Sequence, residues 1–289
     1  MSGEPPGRSG AGARTESRGV RLLLVGLSLA VVALFLVVPL GTVFVEAFRG
    51  GVRAYLRALA PPDTFAALWL TLLAAGVAVP LSAVAGLFAG WALGKFDFPG
   101  RSVLLTLIDL PFAVSPVVAG MLFVLLYGRT GFFGPWLQSR GIDVVFAVPG
   151  IVLATVFVTF PFVARELVPL MQSAGPEEEE AARVLGAGFF QTFWRVTLPN
   201  VKWGLLYGVV LCAARAVGEF GAVSVVSGHI RGRTNTLPLH IEVLYDEYDF
   251  PAAFAVASLL TGVALVALVV KAALEARERR PAAPVGEAP

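Results

Sequence analysis

"EEEEAARVLGAGFFQTFWRVTLP", residues 177–199, interrupts a chain that is otherwise strongly apolar. A hydrophobic run of membrane-crossing length precedes it, and another begins after Pro199. Pro176 suits the first position of a helix, where the N–H it lacks has no intrahelical partner. Glu177 to Glu180 follow in the first turn and complement the partial positive charge of a helix N-terminus. Ala181, Ala182, Val184 and Leu185 give this short helix one apolar side, and Gly186 permits the sharp turn that ends it. Phe189, Phe190, Phe193 and Trp194 then recur at helical spacing, and Pro199 closes the unit. The stretch reads as a helix–turn–helix too short and too polar to span a bilayer, presenting aromatic and charged groups on one side of it. Two roles fit: a solvated loop with its aromatics against the lipid interface, or a docking element for a soluble partner.

The rest of the chain decides what kind of protein carries that loop. Its residues are 57% hydrophobic and 15% charged, with a mean hydropathy of +0.79, and the charges crowd into short breaks between long apolar runs. This is the pattern of a polytopic membrane protein; soluble domains hold roughly 45–50% apolar residues. Six windows can cross about 30 Å of hydrocarbon as helices: near 21–45, 66–93, 102–127, 146–169, 202–227 and 252–273. The expected fold is therefore all-α, with six transmembrane helices between residues 20 and 275 and a loop at 172–200 between spans four and five. Pro39, Pro80, Pro111, Pro116 and Pro161 fall inside these windows, as membrane helices allow where neighbours satisfy the freed carbonyls. The first run is too long for a signal peptide and lacks a small-residue cleavage site, so it counts as span one. Residues 1–19 and 276–289, rich in Gly, Pro, Ala and Arg, are expected to be disordered.

Lysine and arginine set the direction. With both termini cytoplasmic, fourteen of the 22 fall in inside segments and seven in outside ones, while Arg215 lies within span five. The 177–199 loop is then cytoplasmic. Gly86, Gly90 and Gly94 share one face of span two and let another helix of the same chain approach closely.

Several chemistries are excluded. The sequence contains no G-x-x-x-x-G-K-[ST] loop; "GWALGKF" at 90–96 has the wrong spacing and a phenylalanine where a hydroxyl is needed. His229 and His240 lie near Ser224 and Ser227, but no G-x-S-x-G elbow accompanies them. Cys212 is the single cysteine, so the chain forms no internal disulfide and shows no Cys/His metal cluster. Nothing calls for nucleic acid.

Glu180-Ala181-Ala182, Gly186 and Val196-Thr197-Leu198-Pro199 resemble, in identity and spacing, the EAA motif of bacterial ABC importer permeases, with Val196 in place of the usual isoleucine. "LLTLIDLPFAVSPVVAG" (104–120), "VTFPFVARELVPLM" (158–171) and "ARAVGEFGAVSVVSGHIRGRTNTLPLHIE" (214–242) are similar to sulfate/thiosulfate permease subunits of the CysW type. This likeness runs from about residue 20 to 275. Molybdate permeases share the "GEFGA" region. The resemblance implies a type I importer (MetI-like) fold in the bacterial inner membrane, with the EAA loop as a coupling helix seated on a separate ATPase. It implies Glu180, Ala181, Ala182, Gly186, Phe189, Phe190, Trp194, Leu198 and Pro199 as the coupling surface. The implied partners are a second, CysT-like permease, two ABC ATPases that carry ATP and Mg, and a periplasmic sulfate-binding protein. The chain itself is expected to bind no cofactor and to be no enzyme.

Charges inside spans are functional candidates. Arg215 and Glu219, four apart and placed near mid-membrane, are read as a pair on one helix face, fixing helix packing, gating or lining the path. Asp109 is expected to pair with a basic group or to gate, because an unpaired acid would repel an anion. Arg165 and Glu166 read as snorkelling residues at the mouth of span four. His229, Arg231 and Arg233 in the outer loop suit contact with an anion or a binding protein, or simply solvent. Transport of molybdate or another oxyanion is one alternative function, and an ion-gradient-driven transporter or channel is another.

Overall fold

The computed structural model describes residues 18–278, and among these helices are the regular elements. In chain order they are α1 (Gly19–Phe48), α2 (Val52–Leu59), α3 (Pro62–Lys95), α4 (Arg101–Ala113), α5 (Pro116–Tyr127) and α6 (Gly134–Gln138). There follow α7 (Val148–Ser173), α8 (Glu177–Val184), α9 (Phe189–Val217), α10 (Gly221–Ser227), α11 (Leu237–Asp246) and α12 (Phe250–Glu278). Five of them, α1, α3, α7, α9 and α12, are long and apolar enough to cross a membrane.

The core is built on α3 and α7. A methyl group on Gly86 would lie 2.6 Å from Val163 Cβ, on Gly90 2.7 Å from Leu167 Cβ, and on Gly94 2.6 Å from Met171 Cβ. One turn earlier, the Ser82 and Thr159 hydroxyls are 3.0 Å apart. Each contact advances four residues on both helices, so the two run parallel and in register, with the small residues of α3 receiving the large ones of α7. The expected intrachain role of the glycine face is thus what the fold uses. Helix α9 runs antiparallel over the neighbouring face of α7, its Gly204 and Gly208 lying against Leu170 and Val163. Val163, Leu167, Met171, Val201 and Cys212 are buried where the three helices meet.

The span windows need three corrections. Window 102–127 is not one helix: α4 and α5 meet at 107°. Pro116 disfavours the helical conformation for the residue before it, and Val114 and Ser115 are extended, with ψ of 133° in each. Window 202–227 is cut differently at both ends. Helix α9 begins at Phe189 and passes straight through Pro199, so that proline does not close the preceding unit. A π-helical turn at Phe193–Thr197 widens the helix just before Pro199, and the Leu198 N–H reaches back to the Phe193 carbonyl. At its other end α9 stops at Val217, and α10 is a separate helix. Third, helix already exists at Arg18 and continues to Glu278, so the expected disordered ends are shorter by those residues. The remainder of both, 1–17 and 279–289, lies outside the described residues.

Candidate functional site

The 177–199 stretch folds into a handle at the end of the molecule where α3 and α7 finish. Pro176 is the residue before the helix and not its first turn; α8 starts at Glu177. Gly186 adopts φ of +87°, and the N–H groups of Leu185, Gly186 and Ala187 cap the carbonyls of Ala181, Arg183 and Ala182. Among the coupling residues proposed from the sequence, Glu180, Ala181, Gly186, Phe190 and Trp194 are exposed, Ala182 and Leu198 are partly covered, and Pro199 is exposed on α9. The aromatics do not all face outward. Phe189 and Phe193 pack at a tilt against Trp91 of α3, with ring centroids at 4.9 and 4.5 Å; Phe193 is buried and Phe189 stays half exposed. The outward apolar surface is made by Val184, Leu185 at 88% exposure, Phe190 at 74%, and Trp194.

The glutamate run has a second task that sequence reading missed. Lys95, the last residue of α3, reaches the Glu179 carboxylate at 3.3 Å and donates to the Gly175 carbonyl. Glu179 also accepts from the Thr197 hydroxyl at 2.8 Å, and Glu178 accepts from the Asn200 amide. Lys95 and Glu179 side chains are only 10% and 12% exposed. One clasp therefore ties the end of α3, the start of α8 and the π turn of α9 together. Its members are far apart in the chain, and only the excess of carboxylates signalled it.

Two ion pairs lie within the long helices or their breaks. Arg215 Nη1 meets Glu219 Oε2 at 2.6 Å, as the spacing led us to expect. However, the two do not share a helix face. Arg215 is in the last turn of α9, Glu219 lies in the break after it, and the other Glu219 oxygen accepts the Ala222 N–H at 3.0 Å, holding the start of α10. Glu219 is buried, and its neighbourhood includes Thr71, Thr155 and Thr236, at the level of the first third of α7 and not at mid-span. Asp109 does find a basic partner: Arg165 Nε is 3.4 Å from Asp109 Oδ1, and the guanidinium lies 5.1 Å from the Phe112 ring. Arg165 is thus paired across helices and is not a simple snorkelling residue.

At the opposite end of the molecule the three proposed cations separate. Arg231 pairs with Glu247, and His229 Nε2 lies 3.0 Å from the Ser224 carbonyl, which makes that nitrogen the donor. His229 Nδ1 lies 3.8 Å from Glu242. Arg233 instead lines a cavity of about 790 Å³ with Arg129, Thr130, Asp143 and Ile230. Nearby, His240 is buried and its Nε2 lies 3.0 Å from the Thr64 hydroxyl. Burial pushes its imidazole below the usual histidine range, against the opposing pull of the Asp63 carboxylate.

The geometry defines a membrane-embedded helical body with an outward apolar handle at one end and an arginine-lined cavity at the other. Residues 82–280 match the family of binding-protein-dependent transport system inner membrane components. The chain is 51% identical over 270 residues to the sulfate transport system permease protein CysW of Synechococcus elongatus, covering 93% of this chain and 94% of that one. It is 52% identical over 254 residues to the protein of the same name in Escherichia coli K12, covering 88% and 87%. Among solved structures, a bacterial ABC transporter involved in import of the acidic polysaccharide alginate superposes with a TM-score of 0.73 at 18% identity, over 92% of this chain and 96% of that one. That likeness establishes the fold, a type I ABC importer permease. The chain belongs to the binding-protein-dependent inner-membrane transport components, and within them to the CysW-type permeases.

Proposed function

We propose that this chain is the permease subunit of an ATP-driven importer that brings sulfate or thiosulfate across the bacterial inner membrane. The observation that carries this reading is identity above 50% to sulfate permeases along nearly the whole chain, handle included. The handle then faces the cytoplasm, with both termini on the same side, as the lysine and arginine distribution favours. It seats on a separate ATPase that holds ATP and Mg. Its docking residues are Glu180, Ala181, Ala182, Gly186, Phe189, Phe190, Trp194, Leu198 and Pro199, to which the outward Val184 and Leu185 are added. A second, CysT-like permease and a periplasmic sulfate-binding protein complete the assembly, the latter delivering its anion near Arg233 and Arg129.

The clasp suggests how force is passed on. Because Lys95 and Glu179 join three elements, closure of the ATPase pair moves α8 together with the ends of α3 and α9. In this account ATP binding turns the spans outward and hydrolysis returns them. Labelled sulfate uptake by the reconstituted complex, competed with thiosulfate and with molybdate, tests the substrate. ATP-dependent uptake blocked by thiosulfate and not by molybdate is expected; preference for molybdate contradicts the sulfate reading. Gly186→Pro and Glu180→Lys are expected to leave the chain in the membrane while abolishing uptake. Normal uptake in both variants contradicts the coupling role.

A further inference from the structure

The two ion pairs differ in a way that points to different work. Arg215 and Glu219 meet at 2.6 Å, and the Glu219 side chain is 1% exposed and spent on holding α10. Glu219 is fixed by burial and by the Ala222 N–H, although the oxygen that faces Arg215 accepts no well-directed hydrogen bond. Asp109 and Arg165 approach only to 3.4 Å, long for a charge-assisted hydrogen bond, and their side chains are 52% and 59% exposed. Each lies eight residues from the handle end of its helix, or about 12 Å along the axis. A helix of 26 residues runs about 39 Å, so that depth exceeds its overhang beyond about 30 Å of hydrocarbon, and charge exposed on this chain at such a level belongs against water or another protein chain and not against lipid. Arg165 has a second contact besides Asp109. Phe112 lies beneath its guanidinium, and Phe112 is braced edge-on by Phe162 at 5.1 Å. Beside the pair is a cavity of about 180 Å³, walled by Leu105, Ile108, Ala164 and Val168. At ~30 Å³ per water this holds on the order of six waters, enough for a tetrahedral oxyanion.

We propose that Arg165 is an oxyanion-binding residue of the translocation path, and that Asp109 occupies its guanidinium as a displaceable stand-in for the anion. The inference rests on the sulfate-permease reading and assigns that function a residue. A dianion brings more charge and more acceptor oxygens to the planar guanidinium than one loosely held carboxylate does. Asp109 in turn keeps the arginine from standing unpaired in the membrane between passages, and its own charge speeds departure of the anion.

The test uses proteoliposomes holding this chain with its permease partner and ATPases, supplied with loaded binding protein. Uptake of labelled sulfate is compared for wild type, Arg165→Gln, Arg165→Lys, Asp109→Asn and the Asp109→Asn/Arg165→Gln double variant. Copurification of the ATPase confirms assembly of each. Arg165→Gln is expected to lower uptake about tenfold or more, and Arg165→Lys less. Asp109→Asn is expected to lower uptake less than Arg165→Gln does, by slowing departure of the anion, and the double variant should be no better than Arg165→Gln. A merely structural pair behaves otherwise, because removing both partners of an ion pair is often nearly neutral. Recovery in the double variant, or normal uptake in Arg165→Gln, overturns the proposal. A wild type that carries another tetrahedral oxyanion in place of sulfate overturns the substrate reading alone, and the same comparison is then read on that anion.

Discussion

Lys95 carries more of the handle's architecture than its place at a helix end suggests. Its ammonium is the counter-charge of Glu179 among the described residues, and both are largely buried. Lys95→Met leaves that carboxylate without its counter-charge. Breaking a buried pair this way costs about 3–5 kcal/mol, somewhat less here because each side chain keeps some contact with solvent. We expect faster proteolysis within 175–200 in Lys95→Met, and substantial recovery in Lys95→Met/Glu179→Leu; unchanged proteolysis in the single variant contradicts the clasp. A second residue-scale effect concerns His240. Its folded pKa is lowered, so the unfolded chain takes up a proton first as pH falls. The stability that neutral His240 contributes is present above the ordinary histidine range, near 6.5, and is lost as pH drops below it. The melting temperature of the detergent-solubilised chain should therefore fall between pH 7 and pH 5, and His240→Gln should flatten that slope. The pairing of Arg215 with Glu219 was legible at this scale from a four-residue spacing. The pairing of Lys95 with Glu179 was not, because no local rule links residues so far apart in the chain.

At the level of elements, the glycine face of α3 was the most informative feature of the sequence. Three glycines at intervals of four announce a close helix neighbour, and the neighbour proves to be α7, parallel and in register. Gly90→Val should prevent that approach, since even a methyl group there lies 2.7 Å from Leu167. Overpacking of this kind costs typically about 1–3 kcal/mol; loss of the monodisperse protein on size exclusion in detergent is the expected result. Prolines were less legible. Pro80, Pro161 and Pro169 sit inside unbroken helices, whereas Pro116 marks a turn of 107°. The local sequences do not separate these cases. Tertiary packing does, for α5 is drawn onto α10, where Gly120 meets the Ala222 carbonyl and Gly221 meets Pro116. The same reason explains why the 202–227 window was misdivided: hydropathy continues through Gly218, while the Glu219 carboxylate ends one helix and starts the next.

Over the whole molecule, the proposed function draws on both ends of the helical body. Six apolar windows and the lysine and arginine distribution gave a polytopic membrane protein, and the absent phosphate loop left it without the usual ATP site; the separate ATPase came only from the resemblance of 180–199 to the EAA motif. What the sequence could not supply was which side chains of the handle point away from the body. Phe193 is buried against Trp91 and Phe189 packs on it while staying half exposed, leaving Val184, Leu185, Phe190 and Trp194 as the most outward apolar groups. The central claim is that this outward face seats the ATPase. The most direct measurement is the amount of ATPase that copurifies with the tagged permease in Leu185→Arg/Phe190→Arg, relative to wild type. We predict loss of the ATPase, with membrane insertion and the size-exclusion profile of the permease preserved, because neither side chain contributes to the core. Full retention of the ATPase in that double variant contradicts the account.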